Sequence, residues 1–210
     1  MLPSAIESQL DHFATHMRTP VMENDIRDEE GSEASSFIRG KALESYFALN
    51  DALREFTLLF QEEKNERAAA IVGASFLDTL LEQTLVNFFA EDEKEVGNLL
   101  KNDRPIGTYG SRTSLAYCLG LIGKIVRDDL RLVGKIRNRF AHDLHASFND
   151  DPIRTWCLSL RWHEISMFMS APEGATPSEI FQVGVNQLVT HLNGIVSIAR
   201  MEKRQLRLGT

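Results

Sequence analysis

Apolar side chains return every three or four positions along most of the chain, the period of an amphipathic helix. Tyr46, Leu49, Leu53, Phe56 and Phe60 predict a helix over roughly 41–63, and Ala69, Val72, Phe76, Leu80 and Thr84 another over about 66–90. Asp92 is placed to cap a short helix reaching Leu100. Beyond the loop from Lys101 to Gly110, Leu115, Cys118, Leu119 and Ile122 fall at i, i+3, i+4 and i+7. A helix is therefore expected to run to about Gly123, and the next to start at Asp128 or Asp129. Asp151-Pro152 places an N-cap acceptor before a proline at the first helical position, ahead of Ile153, Trp156, Cys157 and Leu160. Thr176-Pro177-Ser178-Glu179 adds a capping-box glutamate and opens a long helix to about Arg204. Strand patterns are nearly absent, and neither a repeat nor a second core is visible. The pattern predicts an all-α, single-domain bundle of roughly six to eight helices.

One stretch departs from this period. Arg18 to Arg39 is rich in Asp, Glu, Ser and Gly, and reads as a mobile acidic arm after a short N-terminal helix, dividing the chain into 1–40 and 41–210. The 210 residues, 43% apolar and 25% charged, suffice for one core that needs neither disulfides nor metals. Cys118 and Cys157 sit among apolar residues at helical spacing, which fits reduced core thiols and a cytoplasmic setting. Met1 to Met17 carries Glu7 and Asp11 and lacks the pattern of a secretory signal. Ile180 to Ala199 holds no Asp, Glu, Lys or Arg. Its Gln182, Asn186, Gln187, Thr190, Asn193 and Ser197 gather on one helix side, so a protein core rather than a membrane is expected on the other.

The net charge of −7 argues against a general nucleic-acid binder, because phosphate contacts need a basic surface. That charge is unevenly spread. Residues 1–40 hold eight acidic and three basic side chains, Lys124 to Arg139 holds six basic and two acidic, and Arg200 to Arg207 has four basic against Glu202. Local basic patches are compatible with an acidic protein, although solvated helix faces are the plain account of such runs.

The segment Asp128 to His145 carries the candidate chemistry. At about 100° per residue, Leu130, Leu132, Val133, Gly134, Ile136, Phe140 and Ala141 form one apolar arc, and Arg137 falls inside it. A guanidinium turned into a packing face needs a carboxylate, carbonyls or a phosphate. Asn138 and His142 fall just outside the arc, adjacent to each other. Two accounts compete: a structural ion pair of Arg137 with Asp78 or Glu82, or a site in which Arg137, Asn138 and His142 act on a phosphate. Arg137-Asn138-Arg139-Phe140-Ala141-His142 resembles the signature of HEPN domains. That resemblance implies a metal-independent ribonuclease in which Arg137 stabilises the transition state, Asn138 orients and His142 moves the proton.

A second resemblance covers about half of the chain. Arg67 to Ile71, Leu77-Asp78 with Leu81-Glu82, Pro105 to Tyr109, Ser111-Arg112, Leu115-Ala116-Tyr117, Leu119 to Ile122, Ile136-Arg137-Asn138, Phe140-Ala141-His142 and Ser147-Phe148 follow one another in an order similar to the mannitol operon repressor (MtlR-like) family. It implies an all-helical, repressor-like transcription regulator of carbohydrate-uptake genes, working through another regulatory protein and without enzymatic activity.

Weaker signals complete the inventory. The loop Arg104 to Arg112 has two glycines, two arginines and hydroxyls at a helix start, where amides can hold an anion, but lacks the lysine and spacing of a P-loop and reads as a helix-entry turn. Arg104, Arg112, Arg131 and Lys135 are the cations available to an anion or a partner. His142, His145 and His163 lack a further ligand at zinc spacing, so neither metal nor cofactor is implied. His191 is expected at the surface, and Trp156 and Trp162 in packing. Gly123 to Arg139 is the nearest approach to a DNA-reading helix but follows no clear turn. Direct DNA or RNA contact stays open, as does a homodimer through uncovered apolar helix surface.

Overall fold

Residues 51, 55–57 and 60, within the helix predicted over 41–63, are helical in the computed structural model, and Asn65 opens the first helix described along its whole length: its side chain accepts from Ala68 N, and α1 follows over Glu66–Phe88. The structure describes residues 51, 55–57, 60, 63–101, 103–166, 171–207 and 209. The predicted N-terminal helix, the acidic arm and the boundary at residue 40 lie outside them. Asp92 caps α2 (Glu93–Leu100), and Thr108 with Ser111 closes a capping box on α3 (Tyr109–Cys118). Then come α4 (Lys124–His142), α5 (Ile153–Leu158), α6 (Trp162–Ile165) and α7 (Pro177–Met201), the last opened by the predicted Thr176/Glu179 capping box. No strand occurs among the described residues, so the all-α class holds.

The two longest helices, α1 and α7, pack along each other. Helices α3 and α4 lie against α1, while α5 and α6 lie between α4 and α7. Gly73 lets α1 come close, since a Cβ there would stand 3.0 Å from the Phe60 ring and 3.1 Å from Val185. Leu77, Leu80, Leu81 and Leu85 of α1, Val133, Ile136 and Phe140 of α4, and Phe181, Val185, Leu188 and Leu192 of α7 are fully buried. Each such side chain contributes about 1.5–3 kcal/mol. Phe148 bridges α4 and α7, with ring centroids 4.8 Å from Phe140 and 5.0 Å from Phe181. By length and composition α1 could cross a bilayer, yet α3, α4 and α7 pack on it.

Several boundaries differ from those predicted. Helix α3 stops at Cys118, and Gly120, at φ +76°, turns the chain. Its buried side is Arg112, Thr113 and Ala116, which leaves Cys118 and Leu119 exposed; of the two thiols only Cys157 is a core residue. Helix α4 begins at Lys124 on a glycine N-cap with no side-chain bond, well before the expected aspartates. Pro152 itself is the N-cap of α5, and Asp151 instead accepts from Thr155 Oγ1 at 2.8 Å.

The polar side of α7 is largely buried rather than solvated. Asn186, Gln187 and Asn193 are buried, Gln182 Nε2 donates to the carbonyls of Phe60 and Glu63, and Gln187 Oε1 accepts from Ser166 Oγ at 2.7 Å. His191 lies against Trp162, ring centroids 4.4 Å apart, and burial lowers its pKa. The C-terminal basic run is tied to α1, which has no basic residue in its own last turn. Arg204 N donates to Phe88 O at 2.9 Å, Arg200 Nε donates to Asn87 Oδ1, and Lys203 Nζ lies 3.8 Å from Glu91. These cations meet the negative end of the α1 dipole.

Candidate functional site

A buried arginine does pair with Asp78 and Glu82, but it comes from α3. Arg112, 3% exposed, places Nη1 2.8 Å from Asp78 Oδ1 and Nη2 2.9 Å from Glu82 Oε2, and Nη2 also donates to Leu100 O at 2.7 Å. Arg137, expected in that role, is exposed and donates from Nη1 to Asn138 Oδ1 at 2.9 Å. Its angle on α4 does fall in the apolar arc, but a helical wheel carries no height. Tyr109, the first residue of α3, donates from its hydroxyl to Leu130 O at 3.0 Å, and its ring lies 3.1 Å from where a Gly134 Cβ would stand. At the other end of α3, the Tyr117 ring centroid is 4.2 Å from the Arg127 guanidinium. The two helices therefore run antiparallel, and the cover that α3 gives α4 ends before Arg137. Burial, then Asp78, raises the Tyr109 phenol pKa, while Arg137 acts in the opposite sense.

Asn138 and His142 are exposed as well. Arg137 and His142 leave the helix roughly 140° apart, and the Arg137 guanidinium reaches Asn138, one turn before His142. The loop before α3 is a helix entry: Thr108 Oγ1 accepts from Ser111 N and Ser111 Oγ from Thr108 N, both at 3.1 Å. Arg112 turns inward from it, whereas Arg104 stays exposed with Nε 3.6 Å from Asp103. The two arginines do not form one anion site, and Arg112 is not available to a partner. No group of three His, Cys, Asp or Glu residues suited to a metal occurs among the described residues.

Sequence reasoning gave Asp129 only as a possible helix start. It is 2% exposed and accepts from Arg161 N at 3.0 Å and Trp162 N at 2.7 Å, so it caps α6 from a neighbouring helix. Burial raises its pKa, and the two backbone bonds oppose that shift. Its angle, roughly 20° from Phe140, was the available signal.

With Asp129 turned inward, the outer side of α4 keeps one carboxylate. Asp128 is held by Arg127 Nη2 at 2.6 Å and Lys124 Nζ at 3.6 Å, and the Arg127 hydrogen bond lowers its pKa. Arg131, Lys135 and Arg139 then follow at i, i+4 and i+8, all exposed. Arg139 Nη2 lies 2.9 Å from Asp143 Oδ2, and Lys135 Nζ lies 5.8 Å from the centroid of the half-buried Trp156 ring. Among the described residues, neither Arg131 nor Lys135 has an ion pair. Like charges at i and i+4 cost a helix about 0.2–0.5 kcal/mol per pair, a penalty that folding alone does not require.

No protein-family profile and no characterised protein sequence matches the chain. Among solved structures, a chain of the X-ray structure of the MtlR-HPr complex from Escherichia coli is similar, with 22% identity and a TM-score of 0.50 over 73% of this chain and 99% of that one. At this identity the likeness concerns the fold, and it supports the MtlR-like helical architecture. It lends nothing to the HEPN-like motif.

Proposed function

We propose that the chain is a cytoplasmic regulator of carbohydrate-uptake genes that acts through contacts with another protein and catalyses no reaction. The observation that carries this reading is the shared fold, which spans nearly the whole of a chain solved in an MtlR-HPr complex. The order of motifs from Arg67 to Phe148 and the exposed cations Arg131 and Lys135 support it. Calorimetric titration of the purified chain with HPr from the organism that encodes it tests the reading: heat of binding is expected, and its absence at high protein concentration counts against it.

A metal-independent ribonuclease is the second reading, favoured by the exposure of Arg137, Asn138 and His142. Incubation with RNA in EDTA is expected to leave the RNA intact. Cleavage that His142→Ala abolishes would replace the first reading with this one.

A further inference from the structure

We propose that the outer face of α4 formed by Arg131, Lys135 and Arg139, with Trp156 beside Lys135, docks an acidic helix of a partner protein. The inference rests on the protein-contact reading and adds a surface and a partner chemistry to it.

Three observations converge. Six of the residues from Lys124 to Arg139 are basic in a chain whose net charge is −7, so this helix runs against the charge of the whole. Lys124 and Arg127 are already engaged by Asp128, whereas Arg131 and Lys135 are exposed and unpaired among the described residues. The half-buried Trp156 ring beside Lys135 adds an aromatic surface of the kind that anchors protein interfaces.

The shape of the stripe selects the partner. Successive cations at i and i+4 stand about 6 Å apart along the axis, the spacing of Glu or Asp side chains at i and i+4 on another helix. Carboxylates bound the stripe at both ends: Asp128 lies one turn before Arg131, and Asp143 is held by Arg139. Both carboxylates are taken up by cations of α4, so the stripe presents three cations, whereas nucleic-acid affinity needs many phosphate contacts. A short acidic helix ends before it meets either carboxylate.

The test uses the full chain and a fluorescein-labelled alanine-based helical peptide with glutamates at i, i+4 and i+8, read by anisotropy at low salt. An oligouridylate of similar length and HPr are run in parallel. The peptide is expected to bind, to be released by added salt, and to bind about tenfold or more weakly to Arg131→Glu/Lys135→Glu. That variant should keep the far-ultraviolet circular dichroism and melting curve of the parent. Arg131→Gln/Lys135→Gln, which removes charge without reversing it, should give an intermediate loss. Absence of peptide binding, equal binding by the reversed variant, or tighter binding of the oligouridylate through these residues overturns the proposal. If HPr binds parent and reversed variant alike while the peptide binds neither, the protein-contact reading survives and this surface falls. If neither HPr nor peptide binds the parent, both fall.

Discussion

Arg112 Nη1 stands 2.8 Å from Asp78 Oδ1, where an arginine 3% exposed meets a carboxylate 32% exposed. The cation is out of water and the anion is not, so the two partners are unequal. Removing the arginine leaves carboxylates that can regain water, but opens a space among α1, α2 and α3 and frees Leu100 O. Arg112→Ala is expected to destabilise the fold by about 3 kcal/mol, the lower end for breaking a buried pair. Arg137→Ala is expected to stay within about 0.5 kcal/mol of the parent. Urea denaturation of both variants checks the pair of values; equal costs would contradict the placement of the two arginines.

The contrast between these arginines marks where sequence reasoning succeeds and stops. Caps were legible at Asp92 and Thr176 because they depend on residues within four positions of each other. The long helices α1 and α7 were legible because their period persists over many turns. The expectation that Arg137 would meet Asp78 or Glu82 rested on its angle in the apolar arc, and the structure gives that pairing to Arg112. Which arginine it is depends on where α3 ends along α4, and a single-helix projection holds no such height. The same gap explains α7, whose amides look solvated in sequence yet meet Phe60 O, Glu63 O and Ser166 in space. Of the four cations singled out in the sequence, Arg104, Arg131 and Lys135 are exposed and Arg112 is buried, whereas the inward turn of Asp129 required tertiary structure.

Asp129 offers the second prediction. Its carboxylate takes the backbone N–H groups of Arg161 and Trp162 at the start of α6. Asp129→Ala leaves both donors without that acceptor and should cost about 2–3 kcal/mol, with the larger local effect on hydrogen exchange at 161 and 162. Asp129→Asn keeps one acceptor oxygen and should cost less. An alanine variant as stable as the parent would show that the two amides find other partners.

The thiols separate by chemistry. Cys118 is exposed, while burial, and after it Glu66, pushes the Cys157 thiol up to about 12. Only the thiolate attacks, so the folded chain should present one fast-reacting thiol to a disulfide reagent at mild alkaline pH and a second only after unfolding. Cys118→Ser should abolish the fast phase. Two fast thiols in the folded parent would place Cys157 outside the core.

His191 supplies the pH dependence. Burial lowers its pKa below the ordinary 6.5, and its ring lies against Trp162. Between the lowered value and 6.5 the unfolded chain binds the proton that the folded chain refuses. The stability linked to this group is therefore whole above 6.5 and is lost as pH falls through the folded value. Asp129 works in the opposite sense: its raised pKa makes the folded state hold a proton that the unfolded chain has shed, so its contribution falls as pH rises from 3.8 through the raised value. The two can be told apart by substitution. His191→Phe keeps an aromatic ring on Trp162 without a titrating nitrogen, and should reduce the loss of melting temperature expected of the parent as pH falls below 6.5. A variant that melts earlier in acid just as the parent does would assign the titration to another group.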